Sequence, residues 1–264
     1  MKSSLPSIFA ALFSFLFFAS CTVNNVTIDD KIGSYFKDNG VTGTFGMFDN
    51  SRGEFTIYDL DRFKAPYTPG QTFHMVHALV ALHTGRLSDD SSLVVGKDSS
   101  TQALSLYSAF KSNSAAHFST IAQLIGKDTM QYWIDSLKYG NKKIGTDLLR
   151  FWNNDSLTIS ADEQLGLIKR LYFKQHPFRA SVQETVKKMM LVENNAQHQL
   201  AYQTGVVQYP GKKLAWMVGW IEENRHVYPF VLQFDAPSNT DTDQVGQKLT
   251  KEILTHIGFF QGIM

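Results

Sequence analysis

Pro69-Gly70-Gln71-Thr72-Phe73-His74 is the stretch whose reading decides the fold. Pro-Gly marks a turn, and Thr72 to His83 then reads as a helix, with Met75, Leu79 and Leu82 at helical spacing and Gly85 as a stop. The first turn of that helix carries two side chains with opposed chemistry. Gln71 is a primary amide whose nitrogen lone pair is delocalised, so it cannot form a covalent acyl intermediate. His74 is an imidazole able to act as a general base near neutral pH. Such a base has only Thr72 or a water to activate, and Thr72 lies one residue on, about 100° around the helix.

Outward from this stretch the chain alternates between strand and helix patterns. Thr42 to Asp49 and Glu54 to Asp59 read as strands joined by an Asn50-Ser51-Arg52-Gly53 turn. Leu87 to Ser105 is polar and reads as loop. Asp128 reads as the cap of a helix burying Met130, Trp133, Ile134 and Leu137 and ending at Gly140. Ser160-x-x-Glu163 and Ser181-x-x-Glu184 both read as capping boxes. Leu200 to Val207, Leu214 to Glu222 and Val227 to Phe234 form a strand meander, and Thr242 to His256 a closing helix stopped by Gly258. The expected fold class is α+β: a central antiparallel sheet shared by N- and C-terminal strands, with a helical block and a C-terminal helix covering it.

A length of 264 residues supports one substantial core. A formal net charge of +1 argues against a nucleic-acid partner recruited by a broad basic surface. At the N-terminus, Lys2 precedes an apolar run from Ile8 to Ala19, too short to span a bilayer comfortably. Phe18-Ala19-Ser20-Cys21 follows. Small residues before a cysteine resemble a lipobox, and Cys21 is the single cysteine of the chain, so no intramolecular disulfide can form. The expected division is a signal peptide over residues 1–20, a polar leader over 21–30 and one domain over 31–264. Lipidation at Cys21 would tether the protein in a bacterial cell envelope, facing the periplasm or associated with an outer membrane.

The collinear set of motifs resembles the class D β-lactamases, a branch of the penicillin-recognising serine enzymes. Gly43-Thr44-Phe45 with Asp49, Pro69-x-x-Thr72-Phe73, Tyr139-Gly140-Asn141, Phe151-Trp152, Leu157-Thr158-Ile159-Ser160 with Glu163-Gln164, and Trp216-Met217-Val218-Gly219-Trp220 all match in order. The resemblance implies the β-lactamase/transpeptidase fold. It also implies a Ser-x-x-Lys nucleophile and base, where this chain has Gln71 and His74. A family lysine here is typically N-carboxylated, and an imidazole has no primary amine to carboxylate. The Ser-x-Val serine corresponds to Asn113, with Ser112 or Ser114 as one-residue slips. The lysine of Lys-Thr-Gly corresponds to Gln203, before Thr204 and Gly205.

The expectation is therefore a catalytically degenerate pseudoenzyme. A peptidoglycan-like or β-lactam-like ligand, or a protein partner, would meet Gln71, His74, Asn113, Trp152, Gln203, Thr204 and Gly205. The alternative is residual hydrolysis with His74 as base toward Thr72 or water. No cofactor is expected. His74 and His77, at i and i+3, share a face, but neither an HExxH pattern nor a ligand cluster supports a metal site. His117, His176, His198, His226 and His256 read as surface or loop residues. Trp216 and Trp220 share one strand face, which suits core packing better than a carbohydrate platform.

Overall fold

The computed structural model describes residues 25–96 and 102–261. The proposed signal peptide and Cys21 lie outside the described residues. The chain runs β1 (Val26–Ile28), α1 (Ile32–Asp38), β2 (Thr42–Asp49), β3 (Glu54–Tyr58), α2 (Leu60–Lys64) and β4 (Pro66–Tyr67). A 3-10 turn, Gly70–Phe73, leads into α3 (His74–His83), followed by the short strands β5 (Leu93–Val94) and β6 (Leu104–Ser105). The helical block comprises α4 (Leu106–Lys111), α5 (Ala115–Ile125) and α6 (Lys127–Leu137), then β7 (Ile159–Ser160), α7 (Ala161–Tyr172) and α8 (Ala180–Met190). The chain closes with β8 (Leu191–Asn194), β9 (His198–Tyr209), β10 (Lys212–Glu223), β11 (His226–Pro237) and α9 (Thr242–Ile257).

Seven strands form one sheet in the order β1-β3-β2-β11-β10-β9-β8. The sheet is mixed rather than purely antiparallel, because β1 runs parallel to β3, with Val26 opposite Phe55 and Ile28 opposite Ile57. This strand occupies sequence that reads as polar leader. Three residues are too few for a periodicity signal, and the pairing is set by a partner well separated along the chain.

The two faces of the sheet carry separate cores, and β10 divides its side chains between them. Ala215, Met217 and Ile221 face a layer closed by α1 and α9, with Phe36, Leu249 and Ile253. Leu214, Trp216, Val218 and Trp220 face the helical block. This is the period of two expected of a strand buried on both sides. Trp216 and Trp220 are 2% and 3% exposed, so neither offers a stacking platform.

Helix α3 runs through the middle of the block, and every residue from His74 to Leu82 is buried. An apolar stripe at Met75, Leu79 and Leu82 understates this, since a helix packed on all sides has no polar face.

Local capping signals are realised unevenly. At α7 the Ser160 hydroxyl accepts from the Glu163 amide at 3.1 Å, and Glu163 accepts from the Ser160 amide at 2.9 Å. The same pattern at Ser181 forms no box: the cap of α8 is Arg179, two residues earlier, and Glu184 pairs instead with Lys174 at 3.2 Å. Asp128 sits inside the first turn of α6 rather than at its cap, which is Gly126 at φ 82°. The Leu87 to Ser105 stretch carries the small β5–β6 hairpin. His117 and His176, expected on the surface, are buried; their imidazoles bond Ser114 Oγ at 2.6 Å and the Leu167 carbonyl at 2.9 Å.

Candidate active-site cleft

The 3-10 turn presses against the middle of β9, and glycine makes that contact possible. A Cβ on Gly205 would lie 2.7 Å from the Thr72 amide nitrogen and 2.8 Å from the Pro69 carbonyl oxygen. With that space taken by backbone, Gln71 reaches across the seam. Its side-chain oxygen accepts a 2.6 Å hydrogen bond from the Val206 amide. That strand-edge N–H is thus taken by one of the chain's own side-chain amides.

Further along β9 two more amides close on each other. Gln203 Nε2 donates to Asn113 Oδ1 in a short contact, and Asn113 Nδ2 donates to Thr204 Oγ1 at 2.7 Å. Asn113 is held at φ 50°, in the left-handed region that asparagine tolerates better than most residues. The neighbouring hydroxyls are committed elsewhere: Ser112 Oγ donates to the Ser108 carbonyl at 2.8 Å, and Ser114 Oγ bonds His117. Asn113 is therefore the residue of this turn that faces β9. Gln203 is only 4% exposed.

His74 and Trp152 do not join this amide cluster. His74 is fully buried and lies flat on Phe118, with ring centroids 3.8 Å apart and planes 5° apart. Trp152 meets it edge-on at 6.1 Å and meets His77 at 4.6 Å. Among the described residues, no ring nitrogen of His74 or His77 has a hydrogen-bond partner. Burial, and then the neighbouring His77, hold the His74 imidazole well below its ordinary range, while burial alone takes His77 down to about 3. Both are neutral near pH 7. Among the described residues, no group of three metal-ligating side chains occurs.

Thr72 is equally committed. Its hydroxyl donates to the Pro69 carbonyl at 2.7 Å and accepts from Gln164 Nε2 at 2.9 Å. A hydroxyl whose proton is held by a backbone carbonyl, with no imidazole bonded to it, is not an activated nucleophile. The residual-hydrolysis alternative therefore lacks, for its Thr72 arm, the Thr72–His74 contact that arm requires.

The Tyr139-Gly140-Asn141 motif is architectural in this chain. A Cβ on Gly140 would collide with the Thr158 carbonyl, and φ at Gly140 is 47°. Asn141 then ties the 151–158 segment down: its side chain donates to the Ser156 carbonyl at 2.9 Å and accepts from the Thr158 amide at 3.2 Å. That segment carries Phe151 and Trp152 into the cage around His77. Sequence reasoning missed Val206 and Phe118. A backbone donor has no side-chain signal, and Phe118 looks like any core position of an amphipathic helix.

A seven-stranded sheet with two terminal helices on one face and a helical block on the other, seamed at a Pro-Gly-x-Thr-Phe turn against a Thr-Gly strand, defines the penicillin-recognising class of fold. The chain belongs to the penicillin-binding protein transpeptidase domain family, whose model matches residues 37–255. Among the proteins it resembles are class D β-lactamases. It is 29% identical over 233 residues to β-lactamase OXA-20 of Pseudomonas aeruginosa, covering 85% of this chain and 86% of that protein. It superposes with a TM-score of 0.82 on FUS-1 (OXA-85), a class D β-lactamase from Fusobacterium nucleatum subsp. polymorphum, at 26% identity, covering 89% of this chain and all of that one. The class D β-lactamase BAT-2 is 30% identical with a TM-score of 0.77, over 86% of this chain and 94% of its own.

Proposed function

We propose that this protein is a pseudoenzyme of the class D β-lactamase fold, one that neither hydrolyses nor is acylated by β-lactams and whose former cleft is shut by its own side chains. The observation that carries this reading is the Gln71 amide on the Val206 N–H. At the position where the family places a nucleophile there is instead an internal acyl mimic, a carbonyl oxygen already seated on the strand-edge donor. The Gln203–Asn113–Thr204 bonds extend the same closure along β9. A sealed seam favours a role exercised through the outer surface, toward a protein partner, over retention of a peptidoglycan-like or β-lactam-like ligand in the cleft.

Incubation with a panel of penicillins, cephalosporins and carbapenems is expected to leave the intact mass unchanged and a chromogenic cephalosporin unhydrolysed. An adduct of one drug mass on the wild-type chain would sink this reading. A lipid on Cys21 would hold the protein at the cell envelope, a reading supported by the apolar Ile8 to Ala19 run and the Ala19-Ser20-Cys21 sequence. Cys21→Ala is expected to move the protein from the membrane to the soluble fraction; unchanged partitioning would refute the anchor.

A further inference from the structure

Two cavities, neither of them lined by Gln71, Asn113 or Gln203, share walls. One, of about 740 Å³, lies between the end of α6, the length of α7 and the α7–α8 connection; the other, of about 360 Å³, lies between β1, β3 and α2. Phe55 and Asp162 line both, so the two lie end to end as one trough. Each is in the size range of small-molecule sites, about 300–1,000 Å³.

The two ends differ in chemistry. The smaller compartment is walled by Val26, Ile28, Ile57, Leu60 and Phe63, with Lys64 and Asp162 offsetting one another in charge. Ile28 is 45% exposed there, an apolar side chain left in solvent on an edge strand. The larger compartment presents Lys138, Lys169 and Arg170. Against them stand Asp162 and Glu163, but the Glu163 carboxylate is turned back onto the Ser160 cap. His176 lines the same compartment and is held neutral, its imidazole lowered to about 4 chiefly by burial.

Among the described residues, neither Lys169 nor Arg170 has a carboxylate partner within ion-pair distance; Lys169 instead sits over the Phe48 ring at 3.5 Å. Partial burial pulls both cations below their ordinary range. Cations drawn out of water without a counter-charge are an unmet demand that an anion would answer.

We propose that the trough binds one molecule of an anionic amphiphile, its apolar tail between β1 and α2 and its anionic head against Lys138, Lys169 and Arg170. Apolar walls alone would accept any chain. The cations at one end give the site polarity and select a charged head over a neutral one. The site is separate from the Gln71 seam and stands or falls independently of the pseudoenzyme reading.

The test is calorimetric titration of the full chain with dodecyl phosphate below its critical micelle concentration. Saturable binding of one molecule per chain is expected, with dodecyl maltoside and inorganic phosphate each at least about tenfold weaker. The double variant Lys169→Gln/Arg170→Gln is expected to weaken dodecyl phosphate about tenfold or more, as loss of charge-assisted bonds implies. Ile28→Asp, at an exposed position that asks little of the fold, is expected to weaken it similarly. Lys248→Gln on α9 should leave it unchanged. Equal binding of the neutral maltoside, unchanged affinity in the folded double variant, or association only with phosphatidylglycerol vesicles would overturn the proposal.

Discussion

Between pH 7 and pH 5 the protein is expected to lose about 4 kcal/mol of folding stability to His77 and His176 alone. The sign follows from the direction of the shifts. Both imidazoles are lowered in the folded state, His77 to about 3 and His176 to about 4, chiefly by burial. The unfolded chain therefore binds their protons more readily than the folded one. Stability is fully present above the unfolded value near 6.5 and is lost as pH falls below it. The loss continues to about pH 4 for His176 and about pH 3 for His77. Each contributes about 2 kcal/mol by pH 5, at roughly 1.4 kcal/mol per pH unit below about 6.5. His74 acts in the same direction. Since whole domains are stable by only about 5–15 kcal/mol, acid unfolding below about pH 5 is expected.

His77→Leu separates this mechanism from general acid lability. It deletes one titrating group and two ring nitrogens that are buried without partners among the described residues, so it should flatten the pH dependence. It should also raise stability at pH 7 by about 1–3 kcal/mol, the usual cost of an unsatisfied buried polar group. Denaturant melts at pH 7, 6 and 5 measure both effects. A variant with the wild-type slope would show that the buried imidazole is not the acid-labile element.

How far such features are readable from sequence depends on how local their causes are. The Ser160–Glu163 box was legible because both partners lie within one helical turn. Ser181–Glu184 offers identical letters, yet α8 begins two residues early and Lys174 takes the glutamate. The central strands were legible because each is a long, largely apolar run bounded by turn residues such as Tyr209-Pro210-Gly211 and Glu223-Asn224-Arg225. Three-residue β1 had no such redundancy, and its parallel pairing with β3 is a tertiary fact. Within the cleft, the identities of Gln71, Asn113 and Gln203 were readable but their engagements were not. Asn113 and Gln203 meet across 90 residues of chain, and Gln71 finds a backbone amide 135 residues away.

The amide residues share a property that serine and lysine lack. Each primary amide carries both donors and an acceptor, so a set of them can satisfy one another, or a strand edge, without charge and without water. A lysine at position 203 or 74 would bring a cation that needs a carboxylate, a carbamate or solvent. On the pseudoenzyme reading, closure of the seam and loss of its reactive groups would be one physical change.

The triple variant Gln71→Ser, His74→Lys and Gln203→Lys is expected to take β-lactam acylation from none to a measurable adduct of one drug mass, while each single variant stays unmodified. Serine at position 71 would be too short to reach the Val206 N–H, which would be released for a ligand carbonyl. Alone, Gln71→Ser would gain a hydroxyl with no base, because the His74 ring is pressed onto Phe118 with neither nitrogen bonded among the described residues. The amine introduced by His74→Lys would stand beside Trp152 in the water-poor layer, where burial lowers an amine toward the neutral form that can take a proton. Gln203→Lys would break the amide pair with Asn113 and restore positive charge at the strand edge. The triple variant should melt lower than wild type, since it buries a new amine. Intact-mass measurement after incubation with a penicillin, on protein shown to be folded by its near-ultraviolet dichroism, decides the matter. A folded triple variant that remains unmodified would mean that the backbone itself has closed, with Asn113 at its left-handed turn and Phe118 over position 74 as the obstacles.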